Sequence, residues 1–137
     1  MSAREELNRP VIEEFRANAG VLGGQFAGVR MLLLTTRGAR TGQPRTVPLT
    51  YLQDGETFVV CGANGGRDTN PAWLTNLATT PEAVIEVDTR TIPVTASIVT
   101  GPERDRLWQA HVAQLSWFDG FQQATSRPIP VVALDPR

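Results

Sequence analysis

The strongest constraint on the fold is a pair of strand-like segments joined by the turn signal Asp54-Gly55. Residues 45–53 alternate well enough for a strand, and residues 57–61 return after the turn. An Asp-Gly pair between two such segments favours a tight hairpin. Pro48 lies within the first strand and has no N–H to donate, so we predict that it occupies an edge or a bulge. The chain is therefore expected to contain an antiparallel sheet.

Further apolar or β-branched runs lie between turn residues along the rest of the chain. We predict a buried strand at residues 31–36, a second hairpin from 83–88 and 91–99 around a turn at 88–90, and a last strand at 129–134. With the first hairpin, these segments make roughly six strands joined mainly by short turns.

Helix signals frame the predicted strands. Residues 1–20 read as an amphipathic helix that Gly20 ends, and a short helix is predicted after Asn70 as its N-cap. A later helix opens at Pro102, and a further aromatic piece spans residues 117–121. The apolar residues that share one side of the first helix are Leu7, Val11, Ile12 and Phe15.

These elements predict an α+β fold, a closed or split antiparallel β-barrel with an N-terminal helix and peripheral helices. The length of 137 residues fits one domain over residues 1–137, with the helix in 1–20 and the barrel in 31–137. No repeat or low-complexity linker divides the sequence.

Charge and cysteine content narrow the functional classes. The thirteen basic residues are all arginines and are balanced by fourteen acidic residues, which argues against a general nucleic-acid binder. The single Cys61 excludes an intrachain disulfide, and the charged N-terminal segment lacks the apolar core of a secretory signal. The longest obvious apolar run is too short to cross a bilayer. We therefore expect a cytoplasmic protein without a membrane span.

An arginine-rich loop follows the predicted strand at 31–36. The segment TTRGARTGQPRTVP places Arg37, Arg40 and Arg45 around Gly38 and Gly42. Glycine allows close approach of the backbone, and guanidinium groups match phosphate and carboxylate oxygens. The pattern predicts an anion site. A solvated hairpin loop is the alternative, because a chain whose basic residues are all arginines can place three here by composition alone.

Few side chains are suited to catalysis. One histidine and one cysteine offer no metal-ligating cluster, so we predict no metal site. His111 is interpreted as a partly buried helix residue and Cys61 as a small buried apolar residue. An enzyme of this composition would need a bound cofactor, anchored by the arginine loop. Trp73 and Asn76 lie one turn apart and could hold a planar ring, but from the residues alone we prefer to interpret Trp73 as a core residue.

Five segments occur in an order that resembles the deazaflavin-dependent nitroreductase family. They are FRANAGVLGGQFAG, LLLTTRGARTGQPRTVPLTYLQDG, GANGG, NPAWLTNLATTP and RPIPVVALDP, which together span nearly the whole chain. The resemblance implies an FMN-binding type of split β-barrel that binds reduced coenzyme F-420. This coenzyme carries the hydride, and its phosphate and polyglutamate tail would suit the arginine loop.

The resemblance also implies which residues contact the coenzyme. Pro48 and Thr50 would border the ring, and Ala63 and Asn64 would lie along the coenzyme. Related members have serine and lysine at the sites that positions 63 and 64 resemble, so one phosphate contact would be either lost or replaced by Arg67. The phosphate and tail would be held by Gly38, Arg40, Thr41, Gly42, Pro44 and Arg45. The other side of the coenzyme would be lined by Ala72, Trp73, Asn76 and Leu77.

The acceptor region departs from the family pattern. Relatives that reduce nitroimidazoles or quinones carry tyrosines before the last strand, whereas this chain has Leu115, Phe118 and Phe121 there. We therefore predict a more apolar acceptor pocket, suited to a quinone or another flat unsaturated compound, although these aromatics could equally be core. Nitro-drug reduction need not follow. The predicted pocket residues are Phe15, Trp117, Phe118 and Phe121.

The leading hypothesis is hydride transfer from reduced F-420 to an unsaturated, quinone-like or nitro-aromatic small molecule. No side chain is predicted to be catalytic. The proton would come from solvent or from groups near the substrate. The alternatives are a non-catalytic carrier of deazaflavin, flavin, haem or fatty acid, and an FMN-dependent reductase. The first helix could rest on a membrane surface, but its acidic polar face would not attract anionic lipid. Split barrels commonly form homodimers, and the sequence does not decide this point.

Overall fold

The computed structural model describes residues 3–137, with side chains from residue 6 onward. Within that part of the chain, the fold is α+β, with one seven-stranded antiparallel sheet and four helices. The helices are α1 (Ala3–Ala17), α2 (Ala72–Thr79), α3 (Gly101–Gln114) and α4 (Trp117–Gln123). The strands are β1 (Met31–Arg37), β2 (Pro44–Thr50), β3 (Leu52–Asp54), β4 (Thr57–Cys61), β5 (Glu82–Val87), β6 (Arg90–Val99) and β7 (Val131–Pro136).

The sheet curls into a barrel that is closed by a bent segment of chain. Its strand order is β2-β1-β5-β6-β7-β4-β3, so β2 and β3 lie at opposite ends of the sheet. Only Tyr51 separates these two strands in the sequence. The chain therefore pairs with β1 before Tyr51 and with β4 after it, which confirms the predicted split barrel.

The predicted strand at residues 45–53 is interrupted because the two halves have different partners. Met31 pairs with Thr50 in the first half, whereas Leu52 pairs with Val59 in the second. Pro48 lies opposite Leu33 in β2, which is an end strand of the sheet. The prediction of an edge position for Pro48 is confirmed.

The first helix ends earlier than predicted. It stops at Ala17, and the positive φ angles of Ala19 and Gly20 (55° and 87°) turn the chain away from helical geometry. Phe15 is buried as expected, whereas Leu7 is 75% exposed, so its predicted place on the buried side was wrong. The part of α1 that packs against the barrel contains Val11, Ile12 and Phe15, and Leu7 lies before it. Positions 1 and 2 of the predicted helix lie outside the described residues.

Two other predicted boundaries shift at prolines. Pro71, not Asn70, is the residue before α2, and the Asn70 side chain instead accepts a hydrogen bond from Arg127. The last strand begins at Val131 rather than Ile129, since Pro130 has no N–H for the ladder. It continues to Pro136, which pairs with Val94.

Three apolar clusters hold the structure together. The largest fills the barrel, where Leu32, Leu34, Phe58, Ile85 and Val132 have 0–2% of their surface exposed. A second cluster lies under α3 and α4, and a third lies under α1. Burial of this apolar surface is the main stabilising contribution. None of the described helices is both long and apolar enough to cross a membrane.

Candidate functional site

A cleft of about 690 Å³ lies between α1, the loop after β1, strand β2 and helix α2. Its volume falls in the range typical of small-molecule sites. It brings together eight residues of the predicted coenzyme site. They are Gly38, Arg40, Thr41, Pro44, Arg45, Ala72, Trp73 and Asn76. Other lining residues are Arg9, Ile12, Glu13, Arg16, Ala39, Thr46, Val47 and Thr75.

Residues 38–43 form the turn of the arginine loop, and this turn is tied together by its own backbone. The N–H of Gly38 donates to the carbonyl of Gln43 over 2.8 Å, and the N–H of Gly42 donates to the carbonyl of Gly38 over 2.8 Å. The N–H of Gln43 also donates to Thr41 Oγ1 at 3.2 Å. These bonds give the loop a defined shape before any ligand arrives.

Glycine is required at both ends of the loop for different reasons. Gly42 has a φ of +71°, a conformation that side-chain-bearing residues rarely adopt. A Cβ atom on Gly38 would lie 3.0 Å from Thr41 Oγ1 and 3.2 Å from the Gln43 carbonyl oxygen. The pattern of glycines in the sequence therefore reflects the geometry of this turn.

Asn76 connects the arginine loop to α2. Its Oδ1 accepts a hydrogen bond from the backbone N–H of Ala39, and its Nδ2 donates to Thr36 Oγ1, both over 3.0 Å. Asn76 and Thr36 are buried. Trp73, one turn earlier on α2, packs in the barrel core and also lines the cleft, so its two proposed roles are compatible.

The cleft is predominantly basic. Arg40 and Arg45 line it from the loop side, Arg9 and Arg16 line it from α1, and Glu13 is the acidic residue among the described lining residues. Arg16 is engaged elsewhere, because its Nε and Nη2 donate to the Glu86 carboxylate at 3.0 and 2.8 Å. These hydrogen bonds raise the pKa of Arg16. The positive charge that Arg40 and Arg45 place on the loop side of the cleft favours an anionic ligand there.

The second predicted coenzyme loop, residues 62–70, lies outside this cleft. Arg127 holds it by donating to the carbonyl oxygens of Gly62, Ala63 and Arg67 at 3.1, 3.1 and 2.9 Å, and to Asn70 Oδ1 at 3.0 Å. Sequence reasoning missed this role, since nothing near Arg127 in the sequence indicates a partner 57 to 65 residues away. Ala63, Asn64 and Arg67 are not among the lining residues of the cleft.

The remaining predicted coenzyme contacts also lie apart from the cleft lining. Gly42, Pro48, Thr50 and Leu77 do not border it. Leu77 is 4% exposed and packs in the barrel core. Arg37, which the loop pattern also singled out, ends β1 and does not line the cleft.

The four residues predicted to form the acceptor pocket lie in separate places. Phe15 packs with Leu22, Met31 and Leu33 under α1. Phe118 packs under α3 and α4, with its ring 5.2 Å from that of Phe121 and 6.4 Å from that of Trp117. Neither group lines the 690 Å³ cleft. The polar side of α1, with Arg9, Glu13 and Arg16, also lines the cleft. The sequence analysis missed this wall, because an amphipathic pattern does not indicate what the polar side of a helix contacts.

The buried side chains of His111 and Cys61 can titrate and lie away from the cleft. His111 is fully buried, and burial lowers its pKa from 6.5 to about 4. Cys61 is 7% exposed, and burial raises the pKa of its thiol to about 12. The sequence interpretation of Cys61 as a buried apolar residue is confirmed, whereas His111 is more deeply buried than expected. Among the residues described, no cluster of three or more histidine, cysteine or carboxylate side chains could hold a metal ion.

Comparison with known proteins gives a consistent family assignment. Residues 7–136 match the family model described as F420H(2)-dependent quinone reductase. An F420H(2)-dependent quinone reductase of Mycobacterium tuberculosis is 39% identical over 127 residues, which cover 90% of this chain and 85% of the relative.

Solved structures share the fold, and one of them is described as an F420-H2 dependent reductase. A structure described as an F420-H2 dependent reductase (FDR-A) has a TM-score of 0.71 and 28% identity, over 77% of this chain and 93% of its own. A second structure, described as a domain-swapped dimer, has a TM-score of 0.74 and 27% identity, over 93% and 96% of the two chains.

Proposed function

Because the chain belongs to the F420H(2)-dependent quinone reductase family, we propose that its cleft binds reduced coenzyme F-420 for hydride transfer to a quinone-like acceptor. The observation that carries the proposal is that a single cleft joins the arginine loop to Trp73 and Ala72 on α2. A basic anchor and an apolar wall are the two surfaces that an anionic, planar redox coenzyme needs.

The donor set fits this coenzyme. Arg40 and Arg45 would bind the phosphate and the carboxylates of the tail, because a guanidinium donates in a planar fork to such oxygens. Gly38 permits close approach of the loop backbone. Trp73 and Ala72 would provide the apolar contact for the ring. When bound, the reduced coenzyme supplies the hydride.

Apart from the Glu13 carboxylate, the side chains of the cleft bind and orient rather than transfer protons. The described lining residues include no histidine, cysteine or tyrosine. The chain's single tyrosine, Tyr51, is 3% exposed in the barrel core, and burial raises its pKa. In the proposed reaction the proton comes from solvent or from groups near the acceptor. We propose a quinone rather than a nitro-aromatic acceptor because the matching family and its relatives are described as quinone reductases.

The test is acceptor-dependent oxidation of the reduced coenzyme. Purified protein is mixed without oxygen with reduced F-420 and then with a benzoquinone, a naphthoquinone or a nitroimidazole, while the absorbance of the oxidised deazaflavin is followed. We expect oxidation with at least one quinone and little with the nitroimidazole.

Three outcomes would contradict parts of the proposal. Tight binding of F-420 without turnover of any acceptor would identify a carrier. Turnover with bound FMN but not with F-420 would identify a flavin enzyme. Turnover confined to the nitroimidazole would contradict the acceptor class. A reaction without protein corrects for direct chemical reduction.

A further inference from the structure

We propose that Asn76 is a positioning residue that holds the arginine loop in the shape that receives the anionic part of the coenzyme. This inference rests on the proposed function. It assigns the Asn76 amide to the protein's own loop, whereas the family resemblance placed the residue along the coenzyme. The two roles predict different binding behaviour, so they can be separated by experiment.

The hydrogen bonds of Asn76 join three elements. The residue is 7% exposed on α2, and its Oδ1 accepts from the N–H of Ala39 in the loop at 3.0 Å. Its Nδ2 donates over the same distance to Thr36 Oγ1 in β1, where Thr36 is 2% exposed. One acceptor and one donor of the amide are thus already used within the protein.

The bond to Ala39 acts at the position where it has most effect on the loop. Ala39 lies between Gly38 and Arg40, so fixing its amide fixes the backbone from which the Arg40 side chain starts. The described backbone hydrogen bonds of Gly38, Gly42 and Gln43 connect the loop only to itself. Asn76 connects this preformed turn to α2, the helix that carries Trp73. It therefore sets the distance between the basic anchor and the apolar wall of the cleft.

The amide is well suited to this task because it offers a donor and an acceptor on one short, planar group. Leucine has a similar size but offers neither. Replacing Asn76 with leucine would leave the Ala39 N–H and the Thr36 hydroxyl without this partner while retaining most of the packing. The loop would then sample other positions, and the coenzyme would have to order it on binding.

The experiment compares two ligands. One is complete F-420, and the other is the ribityl deazaflavin that lacks the phosphate and the glutamate tail. Dissociation constants are measured by quenching of tryptophan fluorescence for the unmodified protein, Asn76→Leu and Thr36→Val. We expect Asn76→Leu to weaken binding of complete F-420 roughly tenfold, the equivalent of about 1.4 kcal/mol, and to change binding of the truncated ligand less than about twofold. Thr36→Val should act in the same direction but more weakly.

Controls separate this role from a general loss of structure. Thr79→Val removes a hydroxyl from the same helix and should leave both dissociation constants unchanged, because Thr79 is exposed and bonds only to Thr75 within α2 in the described structure. Thermal unfolding midpoints are recorded for every variant, and binding is measured well below them. If Asn76→Leu does not fold, the two dissociation constants of Thr36→Val are compared with those of the unmodified protein instead.

The possible results are distinct. Equal weakening of both ligands would show that Asn76 contacts the ring, and unchanged binding of both would show a purely structural role; either result overturns the inference. Failure of the unmodified protein to bind either ligand would instead overturn the proposed function.

In the Arg40→Ala background, Asn76→Leu should weaken binding of F-420 less than it does alone, because both substitutions act through the same contact. Full additivity would contradict the assignment.

Discussion

The Nε2 atom of His111 lies 3.4 Å from the hydroxyl oxygen of Thr50, where α3 covers the end of β2. The other ring nitrogen of His111, Nδ1, is buried and has no hydrogen-bond partner among the described residues. The ring of Phe118 packs edge-on against the imidazole at 4.5 Å. Burial in these surroundings disfavours the charged imidazolium and gives the protein a pH-sensitive point outside its cleft.

The pKa of His111 predicts a loss of stability in mild acid. Burial lowers this pKa from 6.5 to about 4, so the unfolded chain takes up a proton at a higher pH than the folded protein does. The free energy of unfolding therefore has its full value above about pH 6.5, decreases as the pH falls towards 4 and then levels off. The expected decrease is about 2 kcal/mol between pH 7 and pH 5. Urea unfolding at a series of pH values measures it.

A variant isolates the contribution of this imidazole. His111 is the only histidine in the chain, so the step between pH 6.5 and 5 should largely disappear in His111→Leu. Persistence of the full step in that variant would assign it to carboxylates instead.

Charge reversal in the arginine loop should weaken coenzyme binding. Each arginine contact to a phosphate or carboxylate contributes roughly 1.5–3 kcal/mol, so Arg40→Glu or Arg45→Glu should raise the dissociation constant of F-420 at least about tenfold, and the double substitution further. Titration of the coenzyme measures this. Arg90→Glu is the matched control for the single changes, because Arg90 is exposed and does not line the cleft. An unchanged constant in the double variant would remove the loop from the site.

The substitution Gly38→Ala should disturb the arginine loop rather than the overall fold. The added Cβ would lie 3.0 Å from Thr41 Oγ1 and 3.2 Å from the Gln43 carbonyl oxygen, closer than packed atoms normally come. We expect weaker binding of F-420, on the order of tenfold, with a small loss of stability. Gly120→Ala is the control, since a Cβ there meets nothing within 4 Å in α4 and should stabilise the helix by about 0.5–1 kcal/mol. Equal binding by both variants would contradict the prediction.

The Cys61 thiol should be unreactive while the protein is folded. It is 7% exposed, and its pKa of about 12 leaves almost no thiolate at pH 8. A chromogenic disulfide reagent should therefore modify it very slowly in buffer and rapidly in guanidinium chloride. The two time courses, measured on the same sample, check this. Rapid modification in buffer would show that β4 opens readily at its end.

Loss of the four hydrogen bonds that Arg127 donates should make residues 62–70 more mobile. Lysine at position 127 cannot reproduce four hydrogen bonds from one planar group. Arg127→Lys should therefore increase amide hydrogen exchange in this segment and lower the free energy of unfolding by roughly 1–3 kcal/mol. Arg137→Lys is the control, because Arg137 donates to the carbonyl oxygens of Val94 and Ala83 elsewhere on the barrel. Similar exchange in the two variants would show that Arg127 does not hold the loop.

The strands of this fold were largely predictable because their signals are local. Asp54-Gly55 marked the first hairpin, and the β-branched residues on either side of Asp88 marked the second. The break at Tyr51 was not predictable, since it arises from the change of partner between β1 and β4, which the alternation of side chains does not encode. The exposure of Leu7 was missed for the same reason: helical spacing defines a face but not where along the helix the contact ends.

The site was predictable as far as its residues are neighbours in sequence. The arginine loop and the α2 residues Ala72, Trp73 and Asn76 were found from motifs, and the cleft brings them together. The α1 wall and the link from Asn76 to Ala39 depend on contacts over long sequence distances and gave no local signal. The acceptor pocket, the contact of α1 with a membrane surface, the cytoplasmic location and a homodimer stay predictions.

The prolines of β2 affect how the molecule meets its own copies. Pro44 and Pro48 are four residues apart in this end strand, so their nitrogen atoms point to the same side of it. Prolines in such strands place that nitrogen on the open side. If a strand from another molecule approached along β2, two of the backbone N–H donors that β2 would otherwise offer would be missing. We expect this border to discourage the strand-to-strand stacking from which aggregates grow.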